Sequence, residues 1–271
     1  MEPCGRVVFV VGGSGGLGRA VAARLGSGGW RVGLMGRDRV RLEEAQAALG
    51  EEGVEVVGSG IGDVRDEGAV RRVVAELVAG TGRLDAVIYA AGVLDGVGPL
   101  EEVAGSTGWA DVETSLRGFA NTACAVGEWL RAGQGSIVVL VGPGYNGPLA
   151  YAGWYAAGQA GLVRMVESLA REREWTEVGV YAVYPGVTLT PFMERLLSGE
   201  ARRWLPQFGE AFAEGKEVSP SVATEMVAWL VRERPRVLSG RVIPALQTPE
   251  ILERRLELYQ QDQERGTLRL R

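Results

Sequence analysis

The chain has 271 residues, 46% of them apolar and 23% charged, with a formal net charge of −5. Such a length and composition suit one large globular domain, and the acidic balance argues against nucleic acid or a membrane surface as partner. There is no histidine and one lysine, Lys216. Ser-His-Asp triads and histidine-ligated metals are therefore excluded, and a Schiff-base lysine is disfavoured.

The two cysteines, Cys4 and Cys124, are far apart and lack metal-ligand spacing. Reduced thiols and a cytoplasmic location fit this pattern. The apolar run at 7–11 is too short for a signal-peptide core, and no apolar stretch is long enough to span a bilayer.

In chain order, the apolar run VVFVV at 7–11 predicts a buried strand. Residues 16–25 predict a helix, 31–35 a strand, 41–50 a helix ended by glycine, and 54–58 a strand. Helical periodicity covers 66–78, and 85–90 reads as a strand. The second half repeats the rhythm. Helices are predicted at 111–131, 150–173 and 219–232, and strands at 136–141, 178–184 and 240–245. This alternation implies right-handed crossovers. The predicted fold class is α/β, a doubly wound, Rossmann-type parallel sheet with helices on both faces. One domain is expected over 1–248, with a polar helical tail over 249–271.

The segment VVGGSGGLGRA, Val10 to Ala20, follows a strand and opens a helix. It can be read as G-x-G-x-x-G through Gly13, Gly15 and Gly18. It can equally be read as G-x-x-x-G-x-G through Gly12, Gly16 and Gly18. Either reading places missing Cβ atoms where a backbone turns tightly against a pyrophosphate. The flanking strand and helix favour a nucleotide over a bare tight turn. The second strand ends in Gly36-Arg37, with no acid at its tip. A guanidinium there pairs with a 2′-phosphate, which favours NADP(H) over NAD(H), although Asp38 follows. The alternative is that Arg37 is an ordinary solvated charge.

Several further segments resemble the short-chain dehydrogenase/reductase family in its single-domain form. Its glycine motif matches Gly12, Gly16 and Gly18, with Val11 where a threonine is common. Its adenine-binding Asp-Val matches Asp63-Val64. Its Asn-Asn-Ala-Gly corresponds to Tyr89–Gly92, of which Ala91 and Gly92 match. Its Asn-Leu-x-Gly corresponds to Ser115–Gly118, its Tyr-x-x-x-Lys to Tyr155 and Gln159, and its Pro-Gly-x-x-x-Thr to Pro185–Thr190. The landmarks fall in family order over about 7–245.

The resemblance implies hydride transfer between a nicotinamide and a small-molecule carbonyl or alcohol. It implies cofactor contacts at Gly12, Ser14, Gly16, Leu17, Gly18, Arg37, Asp63, Val64, Ala91, Gly92, Gln159, Pro185, Gly186 and Thr190. It also implies a homo-oligomer, dimer or tetramer, and a substrate lid at about 187–218 that carries Phe192, Met193, Trp204 and Phe208. The family's catalytic tyrosine is present as Tyr155. Its lysine, serine and asparagine are replaced by Gln159, Gly142 and Ser115.

A lysine ammonium ~4 Å from a phenol, at an effective dielectric of ~20, favours phenolate by roughly 4 kcal/mol. Gln159 supplies none of this, so Tyr155 is expected to titrate near the ordinary value of about 10. It would then be a poor base but a competent acid, which favours reduction over oxidation. Gln159 retains hydrogen bonds for ribose hydroxyls. Tyr145, Asn146 or Tyr151 could replace the missing serine hydroxyl, and Ser115 could still hold a relay water. Three readings stay open. One is an NADP(H)-dependent oxidoreductase in which Tyr155 donates the proton. Another is a catalytically inactive nucleotide-binding sensor or scaffold, with Tyr155 a structural aromatic. The third is a non-redox lyase or isomerase.

Overall fold

The computed structural model describes residues 5–262 and 264–269. Cys4 lies outside them, and Cys124 is a free, exposed thiol.

Seven parallel strands form one sheet in the order β3-β2-β1-β4-β5-β6-β7. They are β1 (Val7–Val11), β2 (Arg31–Gly36), β3 (Val56–Ile61), β4 (Ala86–Tyr89), β5 (Ser136–Leu140), β6 (Gly179–Tyr184) and β7 (Arg241–Pro244). The strand VVFVV is apolar throughout because both of its faces are covered. Val8 and Val10 point into one core, beneath α1 (Gly16–Ser27) and α9 (Pro220–Glu233). Val7, Phe9 and Val11 point into the other, beneath α3 (Glu67–Thr81), α4 (Gly105–Ala132) and α5 (Gly153–Leu169). α2 (Arg39–Glu51) follows β2. β1 pairs with both β2 and β4, so the direction of winding reverses there. In doubly wound sheets that reversal opens a crevice at the carboxyl ends of the strands.

Several boundaries differ from those expected, each for a local reason. β3 runs over Val56–Ile61 rather than 54–58. Its glycines look like a strand end but lie under α3, where a Cβ on Gly60 would come within 2.4 Å of Val73 Cγ2. α4 begins at Gly105, not at 111. Its Gly108 lies against the Trp154 indole, 2.2 Å from where a Cβ would stand, so this apparent breaker is a close helix contact. α5 begins at Gly153 rather than 150, because Tyr151 has a φ of 64° and cannot lie in a right-handed helix.

The segment after β7 forms α10 (Pro249–Glu253) and α11 (Leu256–Gln261). Leu252 and Tyr259 enter the same core as α9. The buried Arg241 guanidinium donates to the carbonyls of Tyr259, Asp262 and Arg265. The tail is thus stitched to β7 by its backbone. Three short helices, α6 (Pro191–Ser198), α7 (Ala201–Trp204) and α8 (Pro206–Ala213), fill the expected lid range. Their Met193, Leu196, Phe208 and the adjoining Leu205 form a third apolar cluster with Leu94, Ala152 and Tyr155. No helix among the described residues is long and apolar enough to cross a membrane.

Candidate active site

A cavity of about 270 Å³ lies at the carboxyl ends of β1, β2, β4, β5 and β6. Gly12, Ser14, Gly16, Leu17, Gly18, Arg37, Val64, Ala91, Gly92, Gly142, Tyr155, Gln159, Pro185, Gly186 and Thr190 all line it.

The glycine turn follows the second of the two readings. Gly12 and Gly16 adopt φ values of +83° and +54°, which favour glycine, whereas Gly15 is extended at 169°. A Cβ on Gly18 would stand 2.2 Å from Gly12 O, and one on Gly12 would stand 2.8 Å from the backbone of Ala90 and Ala91. These contacts hold the start of α1 against the ends of β1 and β4. The first N–H groups of α1, which have no intrahelical acceptors, open toward the cavity. The cradle therefore fits a dinucleotide's phosphates.

The end of β2 adds two cations. Arg37 lines the cavity, and so does Arg41, a residue that motif reasoning missed. The Arg41 guanidinium lies 2.7 Å from where a Cβ on Gly15 would stand, so it covers the glycine turn. Asp38 is turned away from this role. It caps α2 by accepting from Arg41 N at 3.1 Å. Only its placement at an N-cap, as in D-x-x-R-L, hinted that its carboxylate was already committed.

Asp63 does not stand on the cavity wall, although its neighbours Gly62 and Val64 do. Its carboxylate is forked by Arg65, with contacts from 2.7 to 3.1 Å. The hydrogen bonds from Arg65 hold Asp63 below the usual carboxylate range, against a smaller opposing effect of burial.

The three replaced catalytic positions form one hydrogen-bonded chain. Gln159 is buried. Its Oε1 accepts from Gly142 N at 2.7 Å, and its Nε2 donates to Ser115 Oγ at 3.2 Å. The amide orientation is fixed, because the backbone N–H of Gly142 can only donate. One Nε2 hydrogen of Gln159 remains for a ligand in the cavity. Ser115 donates its proton to Asp111 O at 3.1 Å, is 1% exposed and does not line the cavity. The expectation that Ser115 holds a relay water is therefore corrected: its proton is committed to the helix backbone and its side chain is sealed from the site.

Tyr155 stands next to this chain. A Cβ on Gly142 would lie 1.9 Å from the Tyr155 hydroxyl. The phenol thus occupies the space in which the side chain of a serine would begin. Its hydroxyl has no hydrogen-bond partner among the described residues, and it lines the cavity. Burial, with smaller contributions from the Asp111 carboxylate and Tyr184, raises its pKa above the ordinary tyrosine value. The expected value near 10 is corrected upward, because loss of the lysine is compounded by desolvation.

None of the three suggested replacement residues lines the cavity. Tyr145 packs on Tyr184 with ring centroids 5.3 Å apart, Asn146 is exposed, and Tyr151 stacks on Trp204 at 4.9 Å. Asp111 was also missed as a supporting group. Fully buried, it accepts from Asp95 N and Gly96 N at 3.1 and 3.0 Å and so fixes the loop after β4. Burial raises its pKa above the usual range. The lid adds Phe192, whose ring centroid is 6.4 Å from that of Tyr155, together with Met193 and Arg195.

Comparison with known proteins agrees with this geometry. The short chain dehydrogenase family model matches residues 6–201. A candidate ketoacyl reductase of Streptomyces coelicolor is 33% identical over 236 residues, covering 83% of this chain and 89% of its own. The crystal structure of a levodione reductase superposes with a TM-score of 0.80 at 26% identity, covering 89% of this chain and 96% of its own. A single-substitution variant of an actinorhodin polyketide ketoreductase, crystallised with NADPH, superposes with a TM-score of 0.78 at 27% identity, covering 90% and 96%. With the glycine turn, the tyrosine and the Pro-Gly segment all placed around one crevice, the chain belongs to the short-chain dehydrogenase/reductase family of oxidoreductases.

Proposed function

We propose that the chain is an NADPH-dependent carbonyl reductase in which Tyr155 both orients the substrate carbonyl and protonates it. The observation that carries this reading is the Tyr155 hydroxyl, unpartnered in the cavity and seated where a side chain on Gly142 would begin. One group thus takes over the work that the family divides between a tyrosine and a serine.

A bound dihydronicotinamide would supply a hydride, that is a proton with two electrons, to the carbonyl carbon. Tyr155 donates a hydrogen bond to the carbonyl oxygen and passes its proton there as charge develops. The products are an alcohol, the oxidised nicotinamide and a tyrosinate; the tyrosinate regains its proton from the cavity side, since Ser115 offers no relay. Burial disfavours tyrosinate, so the protonated donor is abundant and the base needed for alcohol oxidation is scarce. Reduction is the favoured direction. The names ketoacyl reductase and ketoreductase among the relatives support the same direction.

Gly12, Gly16 and Gly18 would hold the pyrophosphate at the start of α1. Gln159 Nε2, Pro185, Gly186 and Thr190 would line the ribose and nicotinamide end. Arg37 and Arg41 support NADPH over NADH, since neither forms an ion pair among the described residues. The functional unit is proposed to be a homo-oligomer, which light scattering would establish.

The test is NADPH oxidation by the purified chain with a panel of aldehydes and ketones. Turnover that vanishes in Tyr155→Phe is expected. NADPH binding without turnover on any carbonyl would instead support a nucleotide-binding protein without catalysis. That second reading is favoured by one observation: Gln159 ties Gly142 N and Ser115 Oγ into one hydrogen-bonded chain, and Ser115 gives its own proton to Asp111 O.

A further inference from the structure

The charged residues lining the cavity are three arginines, Arg37, Arg41 and Arg195, with no carboxylate among them. This contrasts with the net charge of −5 on the whole chain. Arg37 and Arg41 stand at the end of β2 and over the glycine turn. Arg195 stands elsewhere, on the lid helix α6. Its guanidinium carbon lies 6.0 Å from the centroid of the Phe192 ring, and that ring lies 6.4 Å from the ring of Tyr155. Arg195 therefore enters the cavity from the side of the proton donor.

Arg195 has no carboxylate partner among the described residues, even though Glu194 is its sequence neighbour. Within the lid range, Lys216 pairs with Glu214 at 2.5 Å. The guanidinium lies over the Phe192 ring, a contact that does not neutralise it. An unneutralised guanidinium fork at the wall of a partly apolar cavity is suited to a planar or tetrahedral oxyanion.

We propose that Arg195 binds an oxyanion carried by the substrate, so that the preferred substrates are carbonyl compounds bearing a carboxylate or sulfonate. The apolar body of such a substrate lies between Phe192 and Met193, with its carbonyl on Tyr155 and its acid on Arg195. This assignment rests on the carbonyl reductase reading above.

The test uses the full chain with NADPH and three matched aldehydes: 4-formylbenzoate, 4-formylbenzenesulfonate and benzaldehyde. The two anions are expected to have kcat/KM at least about tenfold above benzaldehyde, the scale of a charge-assisted hydrogen bond. In Arg195→Leu that ratio should fall about tenfold toward one, through KM, with NADPH affinity retained. Arg195→Lys should give an intermediate ratio, since it keeps the charge and loses the fork. Equal wild-type kcat/KM for all three aldehydes, or a ratio unmoved in Arg195→Leu, would overturn the proposal. Weakened NADPH binding in Arg195→Leu would also overturn it, by assigning the arginine to the cofactor. If no aldehyde turns over, the reductase reading fails separately. Calorimetry of 4-(hydroxymethyl)benzoate against benzyl alcohol on the NADP-loaded chain then decides: binding of the acid that is lost in Arg195→Leu upholds the site, and no binding overturns it.

Discussion

The two ends of the cavity have been treated differently. At the β1–β2 end, the family's glycines are intact and each is required by its surroundings. Gly12 and Gly16 need a positive φ, and Gly18 needs the absence of a Cβ against Gly12 O. At the β5–α5 end, three positions depart from the family's residues, and the Gln159 side chain links the Gly142 backbone N–H to Ser115 Oγ. A site built from backbone tolerates little substitution, because a Cβ on Gly12 or Gly18 collides and Gly16 holds a positive φ. A site built from side chains can be rewired, provided that every buried polar group finds a new partner. Tyr155 and the remaining Nε2 hydrogen of Gln159 are left facing the cavity.

The largest test of this contrast is Tyr155→Phe. It removes the proton donor and leaves the packing in the lid cluster. A loss of about 10²–10⁴-fold in kcat is expected for removal of a general acid. NADPH affinity by fluorescence titration should stay within about twofold. An unchanged kcat would remove Tyr155 from the mechanism.

Gly142→Ser should come next. In the family this residue aids catalysis, yet here the new Cβ would meet the Tyr155 hydroxyl. The phenol must move, so steady-state kinetics should show a fall of about 10²-fold, the scale of losing one aligned donor. A gain in activity would show that the phenol yields the position freely. The companion change Gln159→Lys removes the acceptor of Gly142 N. It should lower stability by about 1–3 kcal/mol, the cost of an unsatisfied buried donor, read as a lower Tm.

The contrast also explains what the sequence made legible. The alternation of strands and helices, the glycine turn and Tyr155 were readable because apolar runs, glycines and spacing carry them. VVFVV could only be a strand covered on both faces. The link from Gln159 to Gly142 and Ser115 was not readable, because it joins residues 17 and 44 positions apart through side-chain rotamers. The fate of Asp63 was hidden for a similar reason: Arg65, two residues on, competes for its carboxylate. Arg41 and Arg195 drew no notice in the sequence, since nothing in their spacing shows that the helices bring them to the cavity.

A smaller effect is expected at the β2 end. Arg41→Ala should weaken NADPH by about tenfold while leaving NADH nearly unchanged, the scale of one charge-assisted contact to a 2′-phosphate. Parallel titrations of the two cofactors measure it. Equal weakening of both would place Arg41 on the shared pyrophosphate instead.

The smallest expected effect is one of pH, and it separates this tyrosine from one activated by lysine. Tyr155 is held protonated above its ordinary range by burial first and by Asp111 second. The acid form is the donor, so kcat/KM for reduction should not fall as pH rises from 7 to about 9, where a lysine-activated phenol would lose its proton. The same shift has a consequence for stability. A folded pKa above the unfolded value contributes stability that is fully present below about 10 and is lost as pH climbs through the folded value. Thermal unfolding of the wild type and of Tyr155→Phe should therefore keep a constant difference up to about pH 9, and only at higher pH should the wild type lose ground. An alkaline fall in reduction rate centred between pH 7 and 9, absent in Tyr155→Phe, would mean that some other cation activates the phenol.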